Sequence, residues 1–160
     1  MGKILGRQAL GKEVSGLKKK KKKIVFTNGC FDIIHPGHVR YLERARSLGD
    51  ILIVGVNSDR SVSRIKPGRP INPEKARAEV LAALRMVDYV SVFNEETPYE
   101  LIKGIMPDVL VKGGDWKKED IVGADLVPVT LSLPFVKGFS TTRVIEKIGR
   151  PRKGSENPRK

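Results

Sequence analysis

The chain is poor in the residues that most often carry chemistry or covalent staples. Among its 160 residues are one cysteine, one tryptophan and two histidines, and aromatics make up 6%. The single cysteine, Cys30, excludes a disulfide within the chain and suits a reducing compartment; its first reading is a small buried apolar residue. No apolar run approaches the roughly 20 residues of a membrane span. No signal-like hydrophobic stretch follows the N-terminal lysines, because Ile24-Val25-Phe26 stops at Thr27-Asn28-Gly29. These absences predict a cytoplasmic protein without membrane insertion. Acidic residues are also scarce, 18 against 31 Lys and Arg. The net charge of +13 would suggest nucleic acid or an anionic surface, but residues 1–23 carry +8 and residues 149–160 carry +4, leaving +1 on the rest. The six consecutive lysines Lys18 to Lys23 have no aromatic residue among them and read as an extended, solvated linker. No specific nucleic-acid partner is expected; a basic nucleic-acid-binding module remains the rival from another class.

What is present is an alternation of apolar runs and helical periodicity. Ile24-Val25-Phe26, Ile51 to Val56, Tyr89 to Phe93, Val109 to Val111 and Leu126 to Leu131 read as strands, and Pro128 puts the last at an edge. Between them, Val39, Leu42, Ala45 and Leu48 mark one helix, Val80, Leu81, Leu84 and Val87 a second, and Leu101, Ile102 and Ile105 a third that Thr97 would cap. Ser140-Thr141-Thr142 opens a last helix with Val144, Ile145 and Ile148 inward, and residues 1–17 allow a short amphipathic helix. Strands alternating with helices predict right-handed crossovers and a Rossmann-like five-stranded parallel sheet with helices on both faces, with ligands above the carboxyl ends of the strands.

The polar and glycine-rich segments fall at those ends. Asn28-Gly29-Cys30-Phe31-Asp32 runs into His35-Pro36-Gly37-His38, a strand, a loop and a helix start. Pro36 fits the first helical position, Gly37 leaves the backbone approachable, and free N–H groups with the helix dipole favour an anion there. The chain's only two histidines, His35 and His38, stand at that mouth as donors to the same anion. Asn57-Ser58-Asp59, Lys112-Gly113-Gly114-Asp115-Trp116 and Ser140 to Arg143 occupy the other ends. No carboxylate cluster reads as a metal cage.

His35-Pro36-Gly37-His38, after Asn28 to Asp32, resembles the HxGH signature of the nucleotidyltransferase superfamily. Within it the arrangement of Asn57-Ser58-Asp59, Arg69-Pro70-Ile71-Asn72-Pro73, Lys-Gly-Gly-Asp-Trp and Ser-Thr-Thr is most similar to the heptose 1-phosphate adenylyltransferases. The resemblance covers about Ile24 to Ile148, making residues 1–23 a basic N-terminal extension and 149–160 a basic C-terminal tail. It implies transfer of AMP from ATP to a sugar 1-phosphate with Mg²⁺ carried by the triphosphate, in lipopolysaccharide or surface-glycan precursor synthesis, and a homodimer. It also implies roles. His35, His38 and Lys66 would be catalytic. Asn28, Gly29, Phe31, Gly37, Lys112, Gly114, Ser140, Thr141, Thr142 and Arg143 would bind nucleotide, and Asp59, Arg77 and Trp116 the second substrate. Arg85 and Asp88 would pair to hold the site in place. Cytidylyltransferases place an arginine where this chain has Phe135, which disfavours the alternative, a CTP-dependent glycerol 3-phosphate cytidylyltransferase.

Overall fold

Alternation along the central strand sorts the core into two layers. In the computed structural model, which describes residues 1–149, strand β2 (Ile24–Gly29) points Val25 to one face of the sheet and Ile24 and Phe26 to the other. Val25 packs with Leu42 and Ala45 of α2 (Pro36–Arg46) and with Ala78 and Leu81 of α4 (Glu74–Ala83). Ile24 and Phe26 pack with Leu10 and Val14 of α1 (Arg7–Lys19) and with Leu101, Ile102 and Ile105 of α5 (Tyr99–Ile105).

The remaining elements are β1 (Lys3–Ile4), β3 (Ile51–Asn57), α3 (Asp59–Ile65), β4 (Tyr89–Phe93), β5 (Val109–Gly113), β6 (Val129–Leu133) and α6 (Thr141–Gly149). All strands are parallel, in the order β1-β4-β3-β2-β5-β6. The chain winds outward from β2 through β3 to β4, then crosses to β5 and β6 on the other side. The reversal opens a crevice at the carboxyl ends of β2 and β5, the place where a parallel sheet of this kind takes its ligand.

The sheet therefore has six strands, not five. The extra one is two residues long, pairing Lys3 with Tyr89 and Ile4 with Val90, too short for alternation to register in sequence. It also corrects the reading of residues 1–23 as an extension, because α1 buries Leu10 and Val14 in the core and Lys18 reaches the Met106 carbonyl at 2.6 Å. The first two lysines of the run are helical, since α1 continues to Lys19 before the chain turns into β2. Three smaller expectations also change. Val80 is 48% exposed and Ile148 76% exposed, and α5 begins after Pro98 with no side-chain cap from Thr97. Beyond Gly149, the C-terminal tail lies outside the described residues.

Candidate active site

The turn after β2 is shaped by Phe31, whose φ of 45° is left-handed and whose buried ring lies under Gly29. A methyl group at Gly29 would approach that ring to 3.0 Å, so the glycine is a packing requirement. His35 then caps α2 with its own side chain: Nδ1 accepts from the His38 N–H at 3.3 Å. An accepting Nδ1 fixes the neutral tautomer that carries its proton on Nε2, pointing a donor away from the helix. His38 stacks on His35 with ring centroids 3.8 Å apart and planes 17° apart. A methyl group at Gly37 would come within 3.0 Å of the His35 ring, so the stack also depends on that glycine.

Both imidazoles are neutral at pH 7. Burial first, then His35, push His38 down from 6.5 to about 4; the Ile33 backbone pulls the other way, and the Lys66 cation adds the smallest push down. Burial also lowers His35. Nδ1 of His38 is buried without a hydrogen-bond partner, an unmet capacity that an incoming oxygen or proton would satisfy. The positive charge of the crevice comes from elsewhere. Lys112, at the end of β5, lies 3.5 Å from the Asn28 side-chain oxygen and 6.0 Å from the centre of the Trp116 ring. Burial lowers its pKa; Cys30 opposes that shift and Lys66 adds to it. Lys66 is exposed and lies close enough to act on both His38 and Lys112.

One wall of the crevice is a buried polar network. The Asp32 carboxylate, fully buried, accepts from the Ile71 N–H at 2.9 Å and the Asn72 N–H at 2.8 Å and pairs with Arg69. Burial alone would raise its pKa, but those amides and Arg69 outweigh it and hold the group below 3.8. These bonds hold down the loop between α3 and α4, residues 66–73, as a strap that carries Lys66 to the site. Arg77 corrects its expected role. Its guanidinium is 0% exposed and donates to the Asn72, Cys30 and Asn57 carbonyls at 2.9, 2.5 and 2.8 Å and to the Asp59 carboxylate at 2.8 Å. It ties the ends of β2 and β3 and the strap to α4, and its guanidinium has no surface left to offer a ligand. Arg85 and Asp88 do not pair with each other either: Arg85 reaches Glu43, and Asp88 takes Arg46 and the Leu52 N–H.

The other wall comes from β5, β6 and the start of α6. Gly114, at φ 115°, donates to the Leu133 carbonyl at 2.8 Å, and Ser132 bonds the Gly114 carbonyl. Ser140 accepts from the Arg143 N–H at 3.1 Å, Thr141 reaches the Ile33 carbonyl at 3.4 Å, and the Phe139 ring lies 6.2 Å from that of His35. Through these contacts the start of α6, with Thr142 and Arg143 exposed, meets the start of α2. Tyr41 fixes α2 from below, sharing a 2.6 Å hydrogen bond with Thr27 and reaching the Val111 carbonyl at 3.3 Å; burial pushes its phenol up to about 12. Sequence reasoning missed Asp32 and Tyr41 as organisers; the available signal was a carboxylate inside the apolar Phe31 to Ile34 stretch.

The arrangement is an anion cradle with two neutral imidazole donors, two lysines and two helix starts. Among the described residues no group of three His, Cys, Asp or Glu side chains could hold a metal ion, and no helix is long and apolar enough to cross a membrane.

The family model described as cytidylyltransferase-like matches residues 26–147. The bifunctional protein HldE of Nitratiruptor is 58% identical over 133 residues, 82% of this chain, and that of Wolinella succinogenes 55% identical over 146 residues, 91% of it. The chain spans only 29% and 31% of the length of those two relatives. A lipopolysaccharide core biosynthesis protein from Thermoplasma volcanium superposes with a TM-score of 0.63 at 27% identity, covering 72% of this chain and 98% of its own. A pantoate-beta-alanine ligase from Francisella tularensis, at 16% identity and a TM-score of 0.61 over 92% of this chain and 78% of its own, shares the fold.

Proposed function

The chain belongs to the cytidylyltransferase-like family, and from that premise we propose that it is an adenylyltransferase joining AMP from ATP to heptose 1-phosphate. An oxygen of the sugar phosphate attacks the α-phosphorus of ATP. The new P–O bond forms as the bond to the bridging αβ oxygen breaks, and its electron pair leaves with pyrophosphate. The products are ADP-heptose and pyrophosphate.

The observation that carries this reading is the stacked His35 and His38 pair at the start of α2, beside Lys112 from the adjoining strand. Transfer of this kind needs alignment and electrostatic support more than covalent help. The His35 Nε2–H donates to a nonbridging α-phosphate oxygen, and His38 binds the phosphate chain beside it. Asn28, Gly29, Phe31, Gly37, Gly114, Ser140, Thr141, Thr142 and Arg143 line the nucleotide side. Lys66 and Lys112 balance the charge of pyrophosphate as it departs, Lys66 also meeting the acceptor phosphate, with Asp59 towards the second substrate. Among the described residues no group of His, Cys, Asp or Glu side chains forms a metal cage, so Mg²⁺ would be carried by the triphosphate. The HldE relatives and the lipopolysaccharide-related neighbour support a place in surface-glycan precursor synthesis. A cytoplasmic homodimer completes the proposal.

Because the matching family is cytidylyltransferase-like, CTP with glycerol 3-phosphate is the second reading. Pyrophosphate release with Mg²⁺, comparing ATP and CTP with each acceptor, decides between them. Release with ATP and heptose 1-phosphate is expected. Removing one such donor typically costs about 3 kcal/mol in the barrier, so His35→Ala is expected to slow release by a hundredfold or more, while loss of its cap on α2 lowers Tm by about 3 °C. Turnover only with CTP overturns the adenylyl assignment.

A further inference from the structure

The described residues contain three aromatic rings classed as exposed, Trp116 at 48%, Phe135 at 75% and Phe139 at 39%, and all three lie at the carboxyl end of the sheet. The other aromatics are buried or half-buried in the core and the helices. Phe139 is accounted for by its stack on His35. Phe135 and Trp116 are not. They converge on one spot: a methyl group at Gly114 would sit 3.0 Å from the Phe135 ring and 3.0 Å from the Trp116 indole nitrogen. That indole nitrogen donates to the Gly113 carbonyl at 3.1 Å, and the Trp116 N–H donates to Ser132 at 3.1 Å, so the Trp116 ring is held in place while about half of the residue stays in solvent.

We propose that Phe135 and Trp116 form the platform on which the purine base of the nucleotide stacks, and that Phe135 thereby sets the preference for ATP over CTP. This deepens, and rests on, the nucleotidyltransferase reading. Three features place a base here. A ring left three-quarters in water beside a cation-lined cradle gains from being covered by a flat apolar partner. Lys112 bridges the two ends, near Asn28 on the phosphate side and near the Trp116 ring on the aromatic side. β5 lies directly beside β2, whose end leads into the loop that carries the histidines, so the aromatic pair and the cradle open on the same crevice. A purine offers two fused rings to the platform and a pyrimidine one, so the overlap favours adenine.

Trp116 is the only tryptophan in the chain, so its fluorescence reports on this spot alone. The wild type and Phe135→Ala are titrated with ATP, CTP, tripolyphosphate and heptose 1-phosphate, each with Mg²⁺. Because Phe135 is 75% exposed, its truncation leaves the core intact. ATP is expected to change the wild-type signal saturably, and tripolyphosphate, which fills the cradle without a base, to leave it unchanged. Base-on-aromatic stacking predicts a half-saturation for ATP roughly ten- to hundredfold higher in Phe135→Ala, a smaller shift for CTP, and recovery in Phe135→Tyr. In turnover, KM for ATP rises while KM for the sugar phosphate stays. An unchanged ATP half-saturation in Phe135→Ala overturns the proposal, as does a signal that responds to heptose 1-phosphate and not to ATP. Failure of the transferase reading shows separately, as no pyrophosphate release from the wild type with any nucleotide and acceptor.

Discussion

The two walls of the crevice are built on opposite principles. The wall formed by β2, β3 and the strap is closed: Asp32 and Arg77 are buried, and their charged groups are spent on backbone N–H and C=O groups of the protein itself. The wall formed by β5, β6 and α6 is open. α6 buries no residue, Phe135 stands in solvent, and Ser140 and Thr141 hold the helix start through two hydrogen bonds. Buried polar groups that are fully satisfied over-determine a geometry, whereas an exposed face is completed by what binds to it. One wall therefore holds in place the segments that carry His35, His38 and Lys66, and under the proposed function the other adapts to nucleotide.

The largest break in that contrast is Arg77→Met. It leaves the Cys30, Asn57 and Asn72 carbonyls and the half-exposed Asp59 carboxylate without their shared donor, and unmet acceptors at about 1–3 kcal/mol each make a total loss of about 3–5 kcal/mol. Denaturant unfolding is expected to show that loss; a change below about 1 kcal/mol would mean that water replaces the guanidinium and the wall is less closed than described. A smaller effect depends on pH. His38 has a folded pKa of about 4 against 6.5 in the ordinary state, so between those values the unfolded chain holds a proton that the folded chain lacks. Stability is fully present above pH 6.5 and falls on acidification towards pH 4, by up to about 3 kcal/mol from this group. His38→Gln removes that slope, and identical wild-type and variant slopes across the window would refute the assignment. Asp32 acts in a separate window, since its lowered pKa withdraws stability only below about pH 3.8.

How legible each wall was in the sequence follows from the same difference. Strand and helix periodicity placed β2 to β6, and the strand-end positions of His35, His38, Lys112 and Ser140 were enough to bring them together. The closed wall hid its logic because burial inverts the meaning of a charge: Arg77 on a helix reads as a phosphate ligand, and only its 0% exposure shows that it is an internal brace. Asp32 was passed over for the same reason, since its partners Ile71 and Asn72 are about forty positions away and offer backbone N–H groups that carry no residue signature. β1 was missed because two residues carry no period, and its pairing with β4 exists only once the sheet has formed. On the open wall, Phe135 stood out in sequence as a departure from the arginine pattern, but its place against Gly114 needed the structure.

The finest test compares two helix caps, one on each wall. Ser58 caps α3 on the closed wall, accepting from the Ser61 N–H at 3.2 Å at 1% exposure, and Ser140 caps α6 on the open wall, accepting from the Arg143 N–H at 3.1 Å. The local chemistry is the same, and removing such a cap costs about 1 kcal/mol. The consequence differs with what each helix is attached to. α3 buries Ser61 and Val62, so Ser58→Ala is expected to lower the global Tm by about 3 °C. α6 buries nothing, so in Ser140→Ala the same loss is absorbed by local fraying: amide exchange in α6 speeds up about fivefold while Tm moves far less. Added ATP should slow that exchange again if the open wall closes over nucleotide. Equal Tm losses in the two variants would show that α6 unfolds together with the core, and the two walls would then be one cooperative unit.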